Sequence, residues 1–276
     1  TSFDELLFAS NRTADLSKPY PFYLAYPLDQ APAALGKEED WVVERKWDGI
    51  RGQVIVRGGE VFVWSRGEEL VTDRFPELDF FKTLLPDGTA LDGEIIPIKN
   101  DIPLPFGELQ RRIGRKTIGK KLLAEVPIHL IAYDLLEYKG KDLRSAPLKE
   151  RRTQLEALHR ACTHERFRLS EAIVFQDWSE LDAIRENSRA THCEGLMLKK
   201  KDSPYRVGRK KGDWWKWKVD PLVIDAVMIY AQKGHGRRAN LYTDFTFAVW
   251  DGEQLVPFTK AYSGLTDAEM NAVDAF

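Results

Sequence analysis

A lysine followed at fixed intervals by aspartate, glycine and arginine is the feature of this sequence that most directly suggests covalent chemistry. Residues 44–51 read ERKWDGIR, which contains the pattern K-x-D-G-x-R with its lysine at position 46. A lysine amine is nucleophilic only when deprotonated, yet its ordinary pKa of about 10.4 keeps it protonated at neutral pH. Burial or nearby cations lower that pKa. We therefore predict Lys46 as a nucleophile, with Arg51, Lys216 and Lys218 as the nearby cations.

The same hexapeptide also suits a turn that carries a salt-bridged lysine, so the pattern alone leaves two interpretations. Further short motifs follow it along the chain. They are Ser65-Arg66-Gly67, Leu91-Asp92-Gly93-Glu94, Ala132-Tyr133-Asp134-Leu135, Glu194-Gly195-Leu196-Met197-Leu198-Lys199 and Trp215-Lys216-Trp217-Lys218. In this order the motifs resemble those of the covalent nucleotidyltransferases, which comprise ATP-dependent DNA ligases, RNA ligases and mRNA capping enzymes. The resemblance extends from about residue 20 to residue 261, and the ordered set is far more specific than any single motif.

This resemblance implies how the phosphates are handled. Lys46 attacks the α-phosphorus of ATP, expels pyrophosphate and holds AMP as a phosphoramidate. Arg51 and Arg66 resemble residues that hold the ribose and phosphates, a task that suits guanidinium groups. Lys216 and Lys218 contact the α-phosphate and neutralise charge as the leaving group departs.

The resemblance also implies how the base and a metal are bound. Tyr133 matches the aromatic residue that stacks on the purine, and Glu44 is expected among the nucleotide-binding residues. Glu94 is similar to a carboxylate that contacts the ribose and helps to bind metal, while Glu194 resembles a ligand of the catalytic ion. Mg²⁺ favours one or two carboxylates beside phosphate oxygens, so we expect ATP with Mg²⁺ or Mn²⁺. The alternatives are that Tyr133 is a core residue and that Asp92 and Glu94 belong to a turn.

Segments beyond the first motif favour one branch of the superfamily. Residues 73–78, 105–112, 132–137 and 225–231 resemble bacterial and archaeal ATP-dependent DNA ligases. The implied reaction passes AMP from Lys46 to the 5′-phosphate of a nick in double-stranded DNA, after which the 3′-hydroxyl seals the strand. An RNA ligase, a capping guanylyltransferase, and a truncated nick-binding or nucleotide-binding module without full activity are the alternatives.

The composition of the chain favours a cytosolic protein. Its two cysteines form no C-x-x-C pair, which is typical of a reducing compartment. No segment approaches the roughly 18 apolar residues that span a bilayer, and the first residues lack the charge and apolar run of a leader. We expect a monomer in the bacterial cytosol or nucleoid, cytoplasmic and without a membrane partner.

Two basic runs contrast with a formal net charge of −2. Residues 111–121 read RRIGRKTIGKK, and residues 199–218 read KKKDSPYRVGRKKGDWWKWK. Segregated positive charge attracts a phosphate backbone, so we expect residues 111–121 and 199–211 to contact DNA beside the nick, with an affinity that falls steeply with salt. A solvated surface is the alternative for either run. The tryptophans are expected to pack or to form a hinge, and the histidines to be structural or exposed.

Hydrophobic periodicity predicts the elements that position these motifs. Helical spacing predicts helices at residues 148–161 and 179–189. Alternating apolar residues predict strands, at residues 41–44, 52–57, 60–65, 90–97, 129–135, 173–176 and 195–199. The fold class is α+β, with antiparallel sheets flanked by helices; by resemblance, this is a nucleotidyltransferase domain of ATP-grasp-like type.

The chain is predicted to contain three segments. Residues 1–30 form a loop-like lead-in, residues 31–220 the adenylation domain, and residues 221–276 a second domain. Strands at 224–231, 241–250 and 254–261, followed by a helix opened by Thr266, predict an OB-fold β-barrel that stops before closing. The resemblance implies a final basic motif late in this barrel, and the sequence stops before it. We therefore expect a catalytic core fragment in which adenylylation from free ATP is weak.

Overall fold

The structure is a computed structural model that describes residues 16–115 and 117–275. The first half of the predicted lead-in, residues 1–15, lies outside the described residues, as do Lys116 of the first basic run and Phe276. The chain separates into two compact units, one ending at Val219 and the other beginning at Asp220. In the part of the chain that is described, no helix is both long and apolar enough to cross a bilayer.

The first unit is built mainly from strands. They are β1 (Tyr23–Leu24), β2 (Tyr26–Pro27), β3 (Trp41–Trp47), β4 (Ile50–Arg57), β5 (Glu60–Ser65), β6 (Thr89–Lys99), β7 (Ile102–Pro103), β8 (Ile128–Tyr138), β9 (Lys141–Asp142), β10 (Phe167–Leu169), β11 (Cys193–Lys200), β12 (Gly208–Arg209) and β13 (Trp214–Lys218). Its helices are α1 (Phe81–Leu84), α2 (Phe106–Ile113), α3 (Lys120–Glu125), α4 (Leu148–Ala161) and α5 (Glu180–Glu186).

The larger sheet has seven strands in the order β10-β8-β6-β4-β5, with β7 beside β6 and β9 beside β8. Its neighbours are antiparallel except β10, which runs parallel to β8. Strand alternation puts Val54, Leu91 and Leu130 on one face, where they are fully buried together with Leu109 of α2 and Leu155 of α4. The helices therefore cover one face of this sheet and leave its opposite face free to contact other parts of the unit.

The smaller sheet has four strands in the order β2-β13-β11-β3. Val43 of β3 and Leu196 and Leu198 of β11 are buried on one face, against Trp178 and Leu181 of α5 and the turn before it. Because side chains alternate along a strand, the intervening residues of β3 and β11 project from the opposite face.

The second half of the predicted lead-in belongs to the first unit. Buried Gln53 bonds both backbone groups of Tyr20, at 2.8 Å and 2.7 Å. Tyr23 is fully buried and its ring centroid lies 4.6 Å from that of Trp214. Short strands β1 and β2 then pair with β12 and β13. The prolines that predicted a loop therefore interrupt a segment that is short-stranded and anchored.

The predicted elements agree with the observed ones with one exception. Helix α4 has the predicted bounds, and the second predicted helix is α5 followed by a 3-10 turn at Asn187–Thr191. The predicted strand at 173–176 is wrong, because this segment makes no ladder and meets β3 only through a bridge between Glu44 and Ala172. Ile173 packs inward while Val174 is 91% exposed, so one-sided packing produced an alternation typical of a strand.

The second unit is an antiparallel sheet with one helix. Its strands are β14 (Val227–Lys233), β15 (Tyr242–Asp251) and β16 (Gln254–Ala261), in that order across the sheet, and its helix is α6 (Asp267–Asp274). Thr266 caps α6 through a reciprocal capping box with Glu269. The described residues form an open three-stranded sheet. The α+β class is thus confirmed, while the OB-fold assignment stays a prediction.

Candidate active site

Strand alternation brings the predicted nucleophile together with several charged residues on the free face of the smaller sheet. Glu44 and Lys46 are two residues apart on β3, and Met197 and Lys199 are two residues apart on β11. Met197 pairs with Glu44 on one side and with Lys216 of β13 on the other. These side chains therefore form one contiguous surface.

The larger sheet supplies the other predicted residues. Arg51 of β4 pairs with Glu94 of β6, so both project from the same face. The pairing of β6 with β8 skips one residue, Tyr133, between Ala132 and Asp134. Such a bulge re-aims a side chain, and Tyr133 contributes its ring to the same surface as Arg51 and Glu94.

A cavity of about 230 Å³ contains most of the predicted site. The predicted residues that line it are Glu44, Lys46, Arg51, Arg66, Glu94, Tyr133 and Lys216. Leu24, Ala25, Met197, Lys199, Arg209 and Trp214 complete much of the wall and were not predicted as site residues. Glu194 accepts a hydrogen bond from Lys46, which lines the cavity, and Lys218 lies next to Glu194.

Glu194 links two of the predicted lysines. Lys46 Nζ donates to Glu194 Oε2, and Lys218 Nζ lies 3.1 Å from the same oxygen. Burial raises the pKa of Glu194, but the hydrogen bonds and charges of Lys46 and Lys218 outweigh it and lower the pKa below its ordinary value. Glu194 is therefore an anion in direct contact with the candidate nucleophile.

Glycine is required beside this carboxylate. Gly195 has a φ of +137°, and a Cβ there would lie 2.2 Å from the backbone oxygen of Trp217. Only glycine allows β13 to approach β11 this closely. The close approach keeps Lys218 near Glu194. Burial, followed by the charges of Arg209, Lys218, Lys46 and Arg66, lowers the pKa of Lys216.

Glu94 is a carboxyl whose charge depends on its surroundings. Burial raises its pKa to about 7, against the opposing effects of Lys46 and Arg51. Among residues 16–115 and 117–275, no group of three or more His, Cys, Asp or Glu side chains is arranged to hold a metal ion. Glu94 and Glu194 are thus two separate carboxylates near Lys46, which is the number that Mg²⁺ commonly uses beside phosphate oxygens.

Asp92 anchors Arg51 and Tyr133 from behind the cavity. Its carboxylate is fully buried and accepts from Arg51 Nε at 3.1 Å and Nη2 at 2.7 Å. The hydroxyl of Tyr205 donates to it at 2.6 Å and that of Tyr133 at 3.2 Å. Arg51 also donates to the backbone oxygen of Tyr23 at 2.6 Å. The alternative in which Asp92 and Glu94 belong to a turn is wrong, because both lie within β6.

Lys199 was expected on a DNA-binding surface and is instead buried. It is 1% exposed, and its Nζ lies 2.8 Å from Glu44 Oε2. Arg152 of α4 donates to the other oxygen of Glu44. The sequence contained a sign that Lys199 faces the site. Lys199 and Met197 are two residues apart and so lie on one face of the strand, whereas Leu196 and Leu198 lie on the other face.

The first basic run also contains a residue that cannot reach DNA. Arg112 is fully buried and donates to both oxygens of Glu77, at 2.5 Å and 2.7 Å, and to the backbone of Val126. Arg111 pairs with Glu108 and Glu125 on the surface. The expectation that the whole run contacts phosphates is therefore wrong for Arg112.

The comparisons with known proteins agree with this site. The fold is similar to that of nucleotidyltransferase cores of DNA ligases. A family model described as ATP dependent DNA ligase domain matches residues 22–218, well over half of the chain. The chain therefore belongs to the ATP-dependent DNA ligase domain family.

Relatives in bacteria and archaea support the branch that the sequence indicated. A probable DNA ligase of Koribacter versatilis is 35% identical over 94% of this chain and 49% of its own length. A DNA ligase of Natronomonas pharaonis is 34% identical over 88% of this chain and 44% of its own length. A solved structure of mycobacterial DNA ligase D complexed with ATP and MES has a TM-score of 0.60 and 25% identity, covering 92% of this chain and 76% of that one. The chain thus spans about half the length of these curated relatives.

Proposed function

We propose that this chain forms a covalent lysyl-AMP at Lys46 and belongs to an ATP-dependent DNA ligase that seals nicks in double-stranded DNA. The observation that carries the proposal is the convergence of Lys46, Glu94, Tyr133 and Lys216 on one cavity. Membership of the ligase domain family supports it, as does the ATP bound by the mycobacterial relative.

The first step joins Lys46 to AMP. The deprotonated Nζ of Lys46 attacks the α-phosphorus of ATP, a P–N bond forms, and the P–O bond to the β-phosphate breaks to release pyrophosphate. Glu194 accepts a hydrogen bond from Nζ and so fixes the position of the amine, whose proton is lost to water before the attack. One difficult transfer between nucleotide and DNA is thereby divided into two steps.

Several cations compensate the charge that develops on the phosphates. Lys216 and Arg66 line the cavity beside Lys46, and Lys218 lies next to Glu194. Fixed positive groups in a partly desolvated cavity stabilise a charged transition state without reorganising. Arg51 is held by Asp92, so it supplies a preorganised guanidinium at the ribose and phosphate side.

Mg²⁺ or Mn²⁺ fits the two carboxylates that lie near Lys46. Glu94 and Glu194 would hold the ion together with phosphate oxygens, and the ion would neutralise phosphate charge when bound. Glu94 becomes anionic as the pH rises through about 7, which makes this ligand available at and above neutral pH.

The second and third steps require DNA. The 5′-phosphate of the nick attacks the α-phosphorus of lysyl-AMP, the P–N bond breaks, and Lys46 is released as the DNA-adenylate forms. Attack by the 3′-hydroxyl on the 5′-phosphorus then expels AMP and seals the strand. Exposed lysines such as Lys200, Lys210 and Lys211 are the members of the second basic run that remain to contact the backbone.

The remaining assignments complete the proposal. Residues 31–220, with the anchored strands β1 and β2 before them, form the adenylation domain, and residues 221–276 form the beginning of an OB-fold domain. Three antiparallel strands and the helix after them support the second assignment. The chain acts as a monomer. The family match favours a DNA ligase over an RNA ligase or a capping guanylyltransferase.

Labelling with nucleotides tests this proposal. The chain is incubated with Mg²⁺ and α-labelled ATP or GTP, beside Lys46→Ala and the control Lys37→Ala, which changes a lysine that is 78% exposed. We expect label from ATP alone, its absence in Lys46→Ala, and its retention in Lys37→Ala. A nicked duplex with a 5′-phosphate should then remove the label, and one with a 5′-hydroxyl should not. Label from GTP would indicate a capping enzyme, and no label from either nucleotide would indicate a binding module.

A further inference from the structure

An ion pair without solvent exposure lies beside the bulge that carries Tyr133. Arg151 of α4 donates to both oxygens of Asp134, from Nε at 2.7 Å and from Nη2 at 2.8 Å, and both side chains are fully buried. Neither residue lines the cavity. The desolvation of two buried charges offsets much of their attraction, so the pair requires a reason within the fold.

The bulge changes the direction of two consecutive side chains on β8. Ala132 and Leu135 are both buried on the face that the helices cover, although they are three residues apart. Side chains an odd number of residues apart lie on opposite faces of a regular strand. The extra residue of the bulge accounts for this, because it places Tyr133 and Asp134 together on the other face. Tyr133 thereby reaches the cavity, and Asp134 becomes a carboxylate inside the protein.

Arg151 compensates the charge that the bulge buries. Asp134 lies opposite Asp92 across β6 and β8, and Asp92 is already paired with Arg51. Without a cation of its own, Asp134 would be an uncompensated charge next to a second buried carboxylate, and the bulged arrangement would be unfavourable. The pair with Arg151 therefore stabilises the bulged form of β8.

The guanidinium of Arg151 is itself held in place. Its Nη1 donates to the backbone oxygens of Ala146 at 2.5 Å and Ser203 at 3.2 Å. The plane of the guanidinium is thus fixed by four hydrogen bonds, and its position fixes that of Asp134. A side chain held this firmly can set the direction of its neighbour in the bulge.

We propose that the Arg151–Asp134 pair positions Tyr133 for the base of ATP, an inference that rests on the proposed function. Neither residue of the pair touches the nucleotide. The pair acts through the bulge, and the base contacts the ring of Tyr133. A displaced ring weakens the binding of the base alike in the ground state and in the transition state. The loss therefore raises the KM for ATP and leaves kcat close to its original value.

Arg151→Lys tests the proposal beside a matched change elsewhere. Lysine keeps the charge but lacks the planar fork that bonds both oxygens of a carboxylate. Arg112→Lys makes the same change in the buried pair with Glu77, away from the cavity. Urea unfolding is measured for both variants, and lysyl-AMP formation is measured in single turnovers over a range of ATP concentrations.

We expect similar shifts of the urea midpoint in the two variants. The KM for ATP should rise by about 5-fold to 150-fold in Arg151→Lys, which is the range for losing one base stacked on an aromatic ring. In Arg112→Lys the KM should match that of the wild type. An unchanged KM in Arg151→Lys, or a loss confined to the maximal rate, would overturn the proposal.

A double-mutant cycle with Tyr133→Leu separates positioning from a general loss of structure. If the pair acts through the ring, Arg151→Lys should raise the KM no further once Tyr133 has been replaced. An equal rise in both backgrounds would overturn the proposal. If Arg151→Lys does not fold, Asp134→Glu takes its place in the same cycle, because it keeps both charges and displaces the carboxylate by one methylene. A wild-type chain that forms no adduct with ATP would instead refute the proposed function itself.

Discussion

Replacing Asp92 by asparagine should damage stability and activity together. Asp92 is fully buried and compensates the charge of Arg51 through two hydrogen bonds, of 3.1 Å and 2.7 Å. In Asp92→Asn the amide nitrogen faces donors of Arg51 and Tyr205, and the guanidinium loses its counter-charge. Breaking a buried pair in this way costs about 3 to 5 kcal/mol of unfolding free energy. Because Arg51 and Tyr133 would shift, the rate of lysyl-AMP formation should fall by about 100-fold per folded molecule.

Glu77→Gln provides the matched control for this substitution. Glu77 pairs with fully buried Arg112 at similar distances, and neither residue lines the cavity. Urea unfolding should show comparable destabilisation in both variants, and adenylylation per folded molecule should fall only in Asp92→Asn. A near wild-type rate in Asp92→Asn would refute the claim that Asp92 positions the site.

Three other predictions concern charge and backbone geometry. In Glu94→Gln, a carboxyl whose pKa is raised by burial from 4.5 to about 7 is replaced by an amide that does not titrate. The unfolding free energy of the wild type falls as the pH rises between those two values. Urea titrations should therefore show the variant gaining about 3 kcal/mol relative to wild type above pH 7 and nothing below pH 4.5. Gly195→Ala, whose Cβ would lie 2.2 Å from a carbonyl of β13, should lower the unfolding free energy by about 1 to 3 kcal/mol, and an unchanged midpoint would contradict the strain argument. Alanine at Lys200, Lys210 or Lys211 should each reduce the salt dependence of DNA affinity by about one unit of log-log slope, whereas unchanged slopes would mean solvated side chains.

Much of the site could be predicted because the chemistry depends on residue type and order. Lys46, Arg51, Glu94 and Tyr133 were predicted from short motifs, and all four line one cavity. Strand alternation around these motifs was also readable, because one face of each sheet is strongly apolar. Their catalytic roles remain predictions.

The buried charges could not be read in the same way. Lys199 and Arg112 occur in runs of like charge, and a run of lysine and arginine is typical of a solvated surface. Their burial depends on Glu44 and Glu77, which are distant in sequence and become neighbours only when the sheets and helices assemble. Asp92 was ambiguous for a related reason, since Asp-Gly is also typical of a turn.

The anchoring of residues 20–27 was missed because its causes are tertiary. The side-chain amide of Gln53 bonds the backbone of Tyr20 as a neighbouring strand would, and no local sequence pattern indicates such a contact. The strand at 173–176 was wrongly predicted for the opposite reason. Burial does alternate along these residues, but they form no hydrogen-bonded ladder with another strand.

The proposed function depends on a covalent bond between Lys46 and AMP. Peptide mapping by mass spectrometry after incubation with ATP and Mg²⁺ locates any adduct directly. We predict one AMP on the peptide that contains Lys46, lost at acidic pH and absent in Lys46→Arg. An AMP adduct on any other residue, or the same adduct in Lys46→Arg, would contradict it.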